Sequence, residues 1–312
     1  MKEQSNLTSV RRSADQLLIV AFVVALFAPL VNHWITGDDP MTAERERRSL
    51  PRRPKLELTE LRMFPARFDA YYADRFGYRD ELVRAHNVFK WFWLGVSPDE
   101  SIVQGKSNWL FYTAENSIEQ ARGALPFTQG ELLSWRRMLE SRRDTARDHG
   151  AHYMWVCGTM KAQIYPEYLP DALKNFRKSR LDELLEYMAR ESDVHIVDLR
   201  PELQAAKELD ASGDYLYYPL GTHWTHRGSV ACMRVILQAL QERGIVTAPI
   251  PDYSDFDRRQ TRKQGDSWAE RLYMEDRLQQ QRWALVARTP RIDGPMIPGF
   301  PRSQRFRQPG AD

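Results

Sequence analysis

Apolar positions follow three rhythms along the chain. The first is an unbroken run, LLIVAFVVALFAPLV over Leu17–Val31, which extends without a charge through Asn32, His33, Trp34 and Ile35. At about 1.5 Å per residue the extended run measures roughly 28 Å, close to the hydrocarbon thickness of a bilayer. The second rhythm is helical: Leu61, Phe64, Phe68, Tyr71, Tyr72 and Phe76 recur at three and four, and Leu82, Val83, Phe89, Phe92 and Trp93 continue after a break at Phe76-Gly77-Tyr78. Two helices are expected there. SIVQGKSNWLFY, Ser101 to Tyr112, then predicts a hairpin or bend around Gly105–Asn108.

From Glu131 the third rhythm alternates helix and strand. Helices are expected over Glu131–His149, Arg180–Arg190, Pro201–Leu209 and Ser229–Arg243, with short strands at His152–Cys157 and Val194–Leu199. Such alternation predicts an α/β fold, a mostly parallel sheet covered by helices, with its chemistry at the carboxyl ends of the strands. These ends are Cys157–Lys161, Asp198–Arg200 and the loop that reaches His223.

Around these segments the organisation reads as a cytoplasmic tail over 1–15, a membrane anchor or signal over 16–35, a linker over 36–60, a main domain over 61–281 and a proline-rich tail over 282–312. Lys2, Arg11 and Arg12 precede the apolar run and no A-x-A-like cleavage site follows it, which favours an uncleaved anchor over a signal peptide. Trp34 would then lie at the interface, and the main domain outside the cytoplasm. The arginine-rich stretch Glu44–Lys55 opposes that orientation under the positive-inside rule.

Net charge is only +3, and the basic residues are spread along the chain without aromatic interleaving, so nucleic acid is not an expected partner. Cys157 and Cys232 have neither CxxC nor metal spacing and each sits in an apolar element, so two buried thiols are expected rather than a disulfide. His223 and His226 are three apart, but no Cys, Asp or Glu nearby completes a ligand set, and no metal or cofactor is implied.

Four stretches, in order, resemble a known family. They are ERRSLPRRP (Glu46–Pro54), FPARFDAYYADRFGYRDELVRAHN (Phe64–Asn87), SIVQGKSNWLFY (Ser101–Tyr112), and KAQIYPEYLP (Lys161–Pro170) followed by the turn YYPLGTHWTHRG (Tyr217–Gly228). The chain resembles the AlgX/AlgJ group of SGNH-hydrolase-like proteins that O-acetylate bacterial exopolysaccharides such as alginate. That resemblance implies an SGNH-hydrolase-like three-layer α/β fold preceded by one N-terminal transmembrane helix, with the main domain in the periplasm at the inner membrane. It also implies a membrane-bound O-acyltransferase as acetyl donor, an acidic or neutral exopolysaccharide as substrate, and a Ser-His-Asp triad whose acid and base form a D-x-H pair.

Here the pair reads Gly221-Thr222-His223, and the acid is missing from its place. A triad without its acid loses about 10⁴ in rate, because the imidazole is neither held in one tautomer nor stabilised as imidazolium. Asp214, on the approach loop, and Asp198, at a strand end, are the substitutes to weigh against a solvated loop residue and a cap before Pro201. The GDS tripeptide ends in Ser267, but its lead, DFDRRQTRKQ, is not an apolar strand, and Ser267-Trp268-Ala269-Glu270 has the S-x-x-E pattern of a capping box. Trp283–Ala287 is the remaining candidate for a nucleophile strand, followed by Arg288-Thr289-Pro290, so the domain reads as incomplete at its C-terminal end. Catalysis thus rests on His223, with Ser267 and Asp214 as weaker candidates, and a degenerate O-acetyltransferase is favoured over an active enzyme or a structural envelope subunit. Lys161, Tyr165 and Tyr168 are the expected glycan-facing groups, the alternative being that the tyrosines pack beneath the loop.

Overall fold

The computed structural model describes residues 2–36, 42–46, 48–209, 214–247, 249–262 and 265–288, with the backbone alone for helix residues 2–13, 36, 44 and 267. The tail expected over 282–312 therefore lies outside the described residues from 289 onward. Contacts group the chain into two units, Met1–Pro98 with Ser267–Arg277, and Asp99–Asp266 with Leu278–Asp312.

The first unit is helical. Its leading helix α1 (Lys2–Thr36) contains a 22-residue apolar stretch, Ala14–Ile35, long enough to cross a membrane. Leu17, Leu18 and Phe22 in that stretch are more than 60% exposed, the state of a helix whose apolar surface no protein core covers. After α2 (Thr42–Glu46), α3 (Phe64–Ala73) and α4 (Arg79–Trp93) flank the expected break, where Tyr78 takes a left-handed φ of 63°. Gly77 is needed there because its amide donates to the Pro29 carbonyl of α1 at 3.1 Å and a β-carbon would stand 2.2 Å from that oxygen.

Two of the family-like stretches interlock in this unit. Arg48 forks onto Asp74 at 2.7 and 2.5 Å, Arg79 donates to Glu46 at 2.6 Å, and Arg75 donates to the Pro51 carbonyl at 2.6 Å. Tyr273, on the returning segment, adds its hydroxyl to Glu46 at 3.0 Å. The arginine-rich box is therefore a fitting for the DRFGYR segment rather than a free basic patch.

The second unit carries the strands. β1 (Ile102–Gln104) and β2 (Leu110–Tyr112) form the expected hairpin, antiparallel, with Ser107 and Asn108 at positive φ in its turn. After α5 (Ser117–Ala121), helix α6 (Gln129–Asp148) begins at a capping box in which Thr128 and Glu131 exchange hydrogen bonds. Strand β3 (Trp155–Cys157), α7 (Lys161–Ile164), α8 (Arg180–Glu191), β4 (Ile196–Asp198), α9 (Arg200–Glu208) and α10 (His226–Glu242) follow, and α8 also opens with a capping box, Ser179 with Asp182. β3 and β4 pair in parallel, as the alternation predicts.

The sheet itself differs from the expectation of a mostly parallel one. Three two-stranded sheets are found among the described residues, one parallel and two antiparallel. The third joins β5 (Phe256–Gln260) to β6 (Trp283–Ala287). The polar lead before Ser267 thus does contain a strand, but a largely exposed one, and Trp283–Ala287 is its antiparallel partner rather than a parallel nucleophile strand. Arg258 lies 3.7 Å over the Trp283 ring, which explains how so polar a sequence holds an extended pairing.

A core of Trp109, Phe111, Ile164, Tyr165, Leu199 and Leu216 sits beneath the β1–β2 hairpin and the turn that leads to His223. A second cluster, Leu132, Leu139, Leu184, Met188 and Val194, fills the space between α6 and α8. Both cysteines are free and buried, as expected from their apolar settings, and burial pushes each thiol up to about 12.

Candidate functional site

The turn from Asp214 to Thr225 is built on backbone pairing and pinned from below. The Tyr217–Trp224 bridge, Tyr218 N–H to the His223 carbonyl at 3.1 Å and Thr225 N–H to the Leu216 carbonyl at 2.8 Å close it as a narrow loop. The Thr225 side chain then accepts from Gly228 N–H and starts α10. Gly228 is forced, since a β-carbon there would lie 2.2 Å from the Leu216 carbonyl oxygen. His223 is carried at the loop's edge with its side chain exposed, and its imidazole has no hydrogen-bond partner among the described residues.

Lys161 is the pin. It is 6% exposed, and its ammonium donates to the carbonyls of Tyr218 at 3.1 Å, Pro219 at 3.0 Å and Gly221 at 2.5 Å, with the rings of Trp109 and Phe111 about it. All three N–H donors are used on the turn. Burial pushes this amine down to about 7, while the charge of Asp266 pulls it the other way. Tyr165 is also buried, accepting from Leu216 N–H at 2.9 Å, whereas Tyr168 is half-buried and stacks on Trp109 with ring centres 4.1 Å apart. Of the three groups expected to face a glycan, two therefore hold up the His223 turn.

The carboxylates weighed as substitute acids are engaged by arginines. Asp214 is buried and pairs with Arg258 at 3.0 Å. Asp198 accepts from Arg200 through the backbone N–H at 3.0 Å and the guanidinium at 2.8–3.0 Å, in keeping with a capping role. Ser267 opens the short helix Ser267–Arg271, and its side chain lies outside the described residues.

One residue that sequence reasoning passed over stands at the vacant acid position. Asp266 is buried, and its Oδ2 lies 2.6 Å from where a β-carbon on Gly221 would be. The same oxygen accepts from Arg282 at 2.8 Å and Gln280 at 3.2 Å, and Gln280 in turn accepts from Leu220 N–H at 2.8 Å. The GDS tripeptide signalled this position, but through its aspartate rather than its serine. Chemically, the assembly is a histidine presented on a tightly anchored turn over a satisfied polar network. Among the described residues no cluster of three or more His, Cys, Asp or Glu could hold a metal ion.

The chain is 25% identical over 145 residues to the probable alginate O-acetylase AlgJ of Pseudomonas putida, a match that covers 46% of this chain and 35% of that protein, so it spans about a third of the curated relative's length. Among solved structures, the O-acetyltransferase domain of Pseudomonas putida AlgJ matches with a TM-score of 0.40 at 20% identity, covering 60% of this chain and 66% of that one. Pseudomonas aeruginosa AlgX matches with a TM-score of 0.39 at 17% identity, covering 59% and 42%. A family model described as the SGNH hydrolase-like domain of acetyltransferase AlgX matches residues 102–290, more than half of the chain, and the protein belongs to that family.

Proposed function

We propose that this chain serves the O-acetylation of an alginate-type exopolysaccharide as a single-pass envelope protein, with its main domain in the periplasm, and that its own acyl-transfer site is catalytically degenerate. It would work beside a membrane-bound O-acyltransferase that supplies acetyl groups, gripping glycan or partner rather than turning over. The apolar stretch Ala14–Ile35 supports the anchor. The observation that carries the degenerate reading is Gly221 at the acid position, packed against an Asp266 carboxylate already held by Arg282 and Gln280, while the His223 ring stands exposed without an acid.

The test uses the full chain in detergent with p-nitrophenyl acetate. Wild type and His223→Ala are expected to release p-nitrophenol equally slowly. A fall of about tenfold or more on substitution would overturn the degenerate reading, since a working triad loses roughly 10⁶ with its base. In the host cell, deletion of the gene is expected to lower the acetyl content of the exopolysaccharide, and the His223→Ala gene to restore it as fully as wild type.

A second reading keeps turnover, with Asp266 as an acid supplied from another segment; its nearness to Gly221 favours it. Asp266→Asn would then slow the esterase reaction as strongly as His223→Ala.

A further inference from the structure

Helix α4 is apolar on two faces, and one of them is uncovered. On the covered face Asn87 and Trp91 are buried, Asn87 donates to the Leu272 carbonyl at 2.9 Å, and Arg84 pairs with Asp276 at 2.6 Å. On the other, Leu82, Ala85, Phe89, Phe92 and Trp93 recur at three and four along the helix and all are exposed, the four large ones by 51–80%. Leu94 and Val96 continue the stripe past the helix end. Among the described residues of the second unit, Leu209 is the one large apolar side chain more than 40% exposed. The stripe is therefore no general looseness of the surface, and an apolar row of this size marks a face that meets a partner.

What lies beside the start of α4 identifies that partner. Gly77 N–H donates to the Pro29 carbonyl and Tyr78 N–H to Asn32 Oδ1, each at 3.1 Å, so the helix begins against the exit end of the apolar stretch in α1. Within Ala14–Ile35, shielding from solvent is confined to residues 28–33, so α4 does not run back along the stretch. Asn32 stands three residues, about 5 Å, from the end of that stretch, which puts the junction at the boundary of hydrocarbon and headgroups when α1 spans. A helix that leaves this boundary with Phe and Trp along its outer side has the composition of one lying in it. Charge agrees: over 42–98 Arg and Lys outnumber Asp and Glu by twelve to eight, more than the net +3 of the whole chain. Lys55 and Arg62 are exposed, with no ion-pair partner among the described residues, close in sequence to exposed Leu56 and Leu58. Cations interleaved with leucines suit phosphate headgroups over an apolar layer.

We infer that the exposed stripe of α4 is a second membrane contact, an in-plane helix whose apolar side rests in the headgroup–acyl boundary of a phospholipid bilayer. The contact fixes the first unit against the membrane instead of leaving it to swivel about α1. It rests on the single-pass reading of α1 for its place at the bilayer.

The test puts a fluorophore on single introduced cysteines, Ala85→Cys, Phe92→Cys and, within the apolar stretch of α1, Val24→Cys. The full chain is reconstituted in nanodiscs of mixed phosphatidylcholine and phosphatidylglycerol, and quenching by doxyl-labelled lipid is compared with quenching by iodide. Cys157 and Cys232 are buried, so wild type taken through the same labelling supplies the blank. Labels at 85 and 92 are expected to be quenched by a shallow doxyl lipid at least about half as strongly as the label at 24 is by a deep one. Both should be shielded from iodide about threefold relative to the free fluorophore–cysteine adduct. Lipid quenching at 24 with none at 85 and 92 would overturn the contact and leave the anchor standing. Shielding from iodide without lipid quenching also defeats it, since a second copy or another protein then covers the stripe. Quenching at 85 and 92 without quenching at 24 keeps the contact and removes the anchor. Should Phe92→Cys not fold, the smaller change Ala85→Cys decides. Adding Phe89→Glu and Trp93→Glu to Ala85→Cys is expected to cut its lipid quenching by about half or more, and unchanged quenching there would likewise reject the stripe.

Discussion

The Asp266 carboxylate occupies the space that a side chain on Gly221 would need: all three of its terminal atoms lie within 2.9 Å of the ideal β-carbon position. Because Arg282 and Gln280 hold that carboxylate, it cannot swing away cheaply. Writing the family's acid back into its place is therefore expected to fail. Gly221→Asp should destabilise the protein by about 1–3 kcal/mol through overpacking and like-charge contact, without raising esterase activity. Denaturant unfolding checks this, and the double substitution Gly221→Asp with Asp266→Gly should recover much of the loss, a coupling that two independent sites would not give.

Lys161 makes the turn's stability depend on pH in an unusual direction. Its amine is pushed down to about 7 by burial, against an ordinary value of 10.5, so between these limits the unfolded chain binds a proton that the native protein does not. Stability then rises with pH across that window and is lost as pH falls through about 7. Relative to Lys161→Met, the wild-type melting temperature should climb between pH 7 and 10. A constant difference between the two across this range would contradict the assignment. Lys161→Met should also be less stable than wild type at pH 9, since even the neutral amine keeps two N–H groups for the carbonyls of the turn and methionine offers none.

How far the sequence foretold this arrangement depends on the range of each interaction. The helix break at Phe76-Gly77-Tyr78 and the hairpin around Gly105 were legible because spacing and turn residues encode them locally. The parallel pairing of β3 and β4 followed from alternation, but the mixed sheet did not, since strands of three residues carry no pattern that names their partners. Phe256–Gln260 was illegible as a strand because its side chains are mostly charged and exposed, and Trp283 under Arg258 supplies the missing cover. The burial of Lys161 and of Asp266 was illegible for one reason. A charged residue reads as a surface group by type, and only carbonyls and donors brought from distant segments allow it inside.

The interlock of the arginine-rich box with the DRFGYR segment yields a second pH-dependent term of the same sign, in the acid range. The hydrogen bond from Arg48 holds the Asp74 carboxyl below the usual range despite partial burial. At Glu46 burial acts upward, but hydrogen bonds from Arg79 and Arg48 outweigh it and leave the carboxyl low. Both contribute stability that is present above the ordinary carboxylate range and lost on acidification. Because Arg48 is 42% exposed at its side chain, the expected coupling energy in an Arg48→Ala and Asp74→Ala double-mutant cycle is modest, about 0.5–1 kcal/mol at neutral pH. It should shrink as pH falls below the ordinary carboxylate range and the pair is protonated. A coupling independent of pH would show that the pair acts through packing and not through charge.

The two thiols offer a probe of the second unit's core that leaves every charged group untouched. Cys157 ends β3 and Cys232 lies within α10, both buried, and burial raises each to about 12, with the Asp198 charge adding to the effect at Cys157. Thiolate is the reactive species, so at pH 8 the native protein should react with an aromatic disulfide reagent far more slowly than a free cysteine does. Both thiols should become titratable together once denaturant unfolds the chain. Weakening the turn should bring that exposure forward: the core that covers Cys232 includes Leu216 and Tyr217, which the Lys161-pinned turn carries. In Lys161→Met, labelling of Cys232 is therefore expected to accelerate more than labelling of Cys157, and peptide mapping of the labelled protein distinguishes the two. Equal acceleration would mean that the pin stabilises the whole unit rather than the turn it touches.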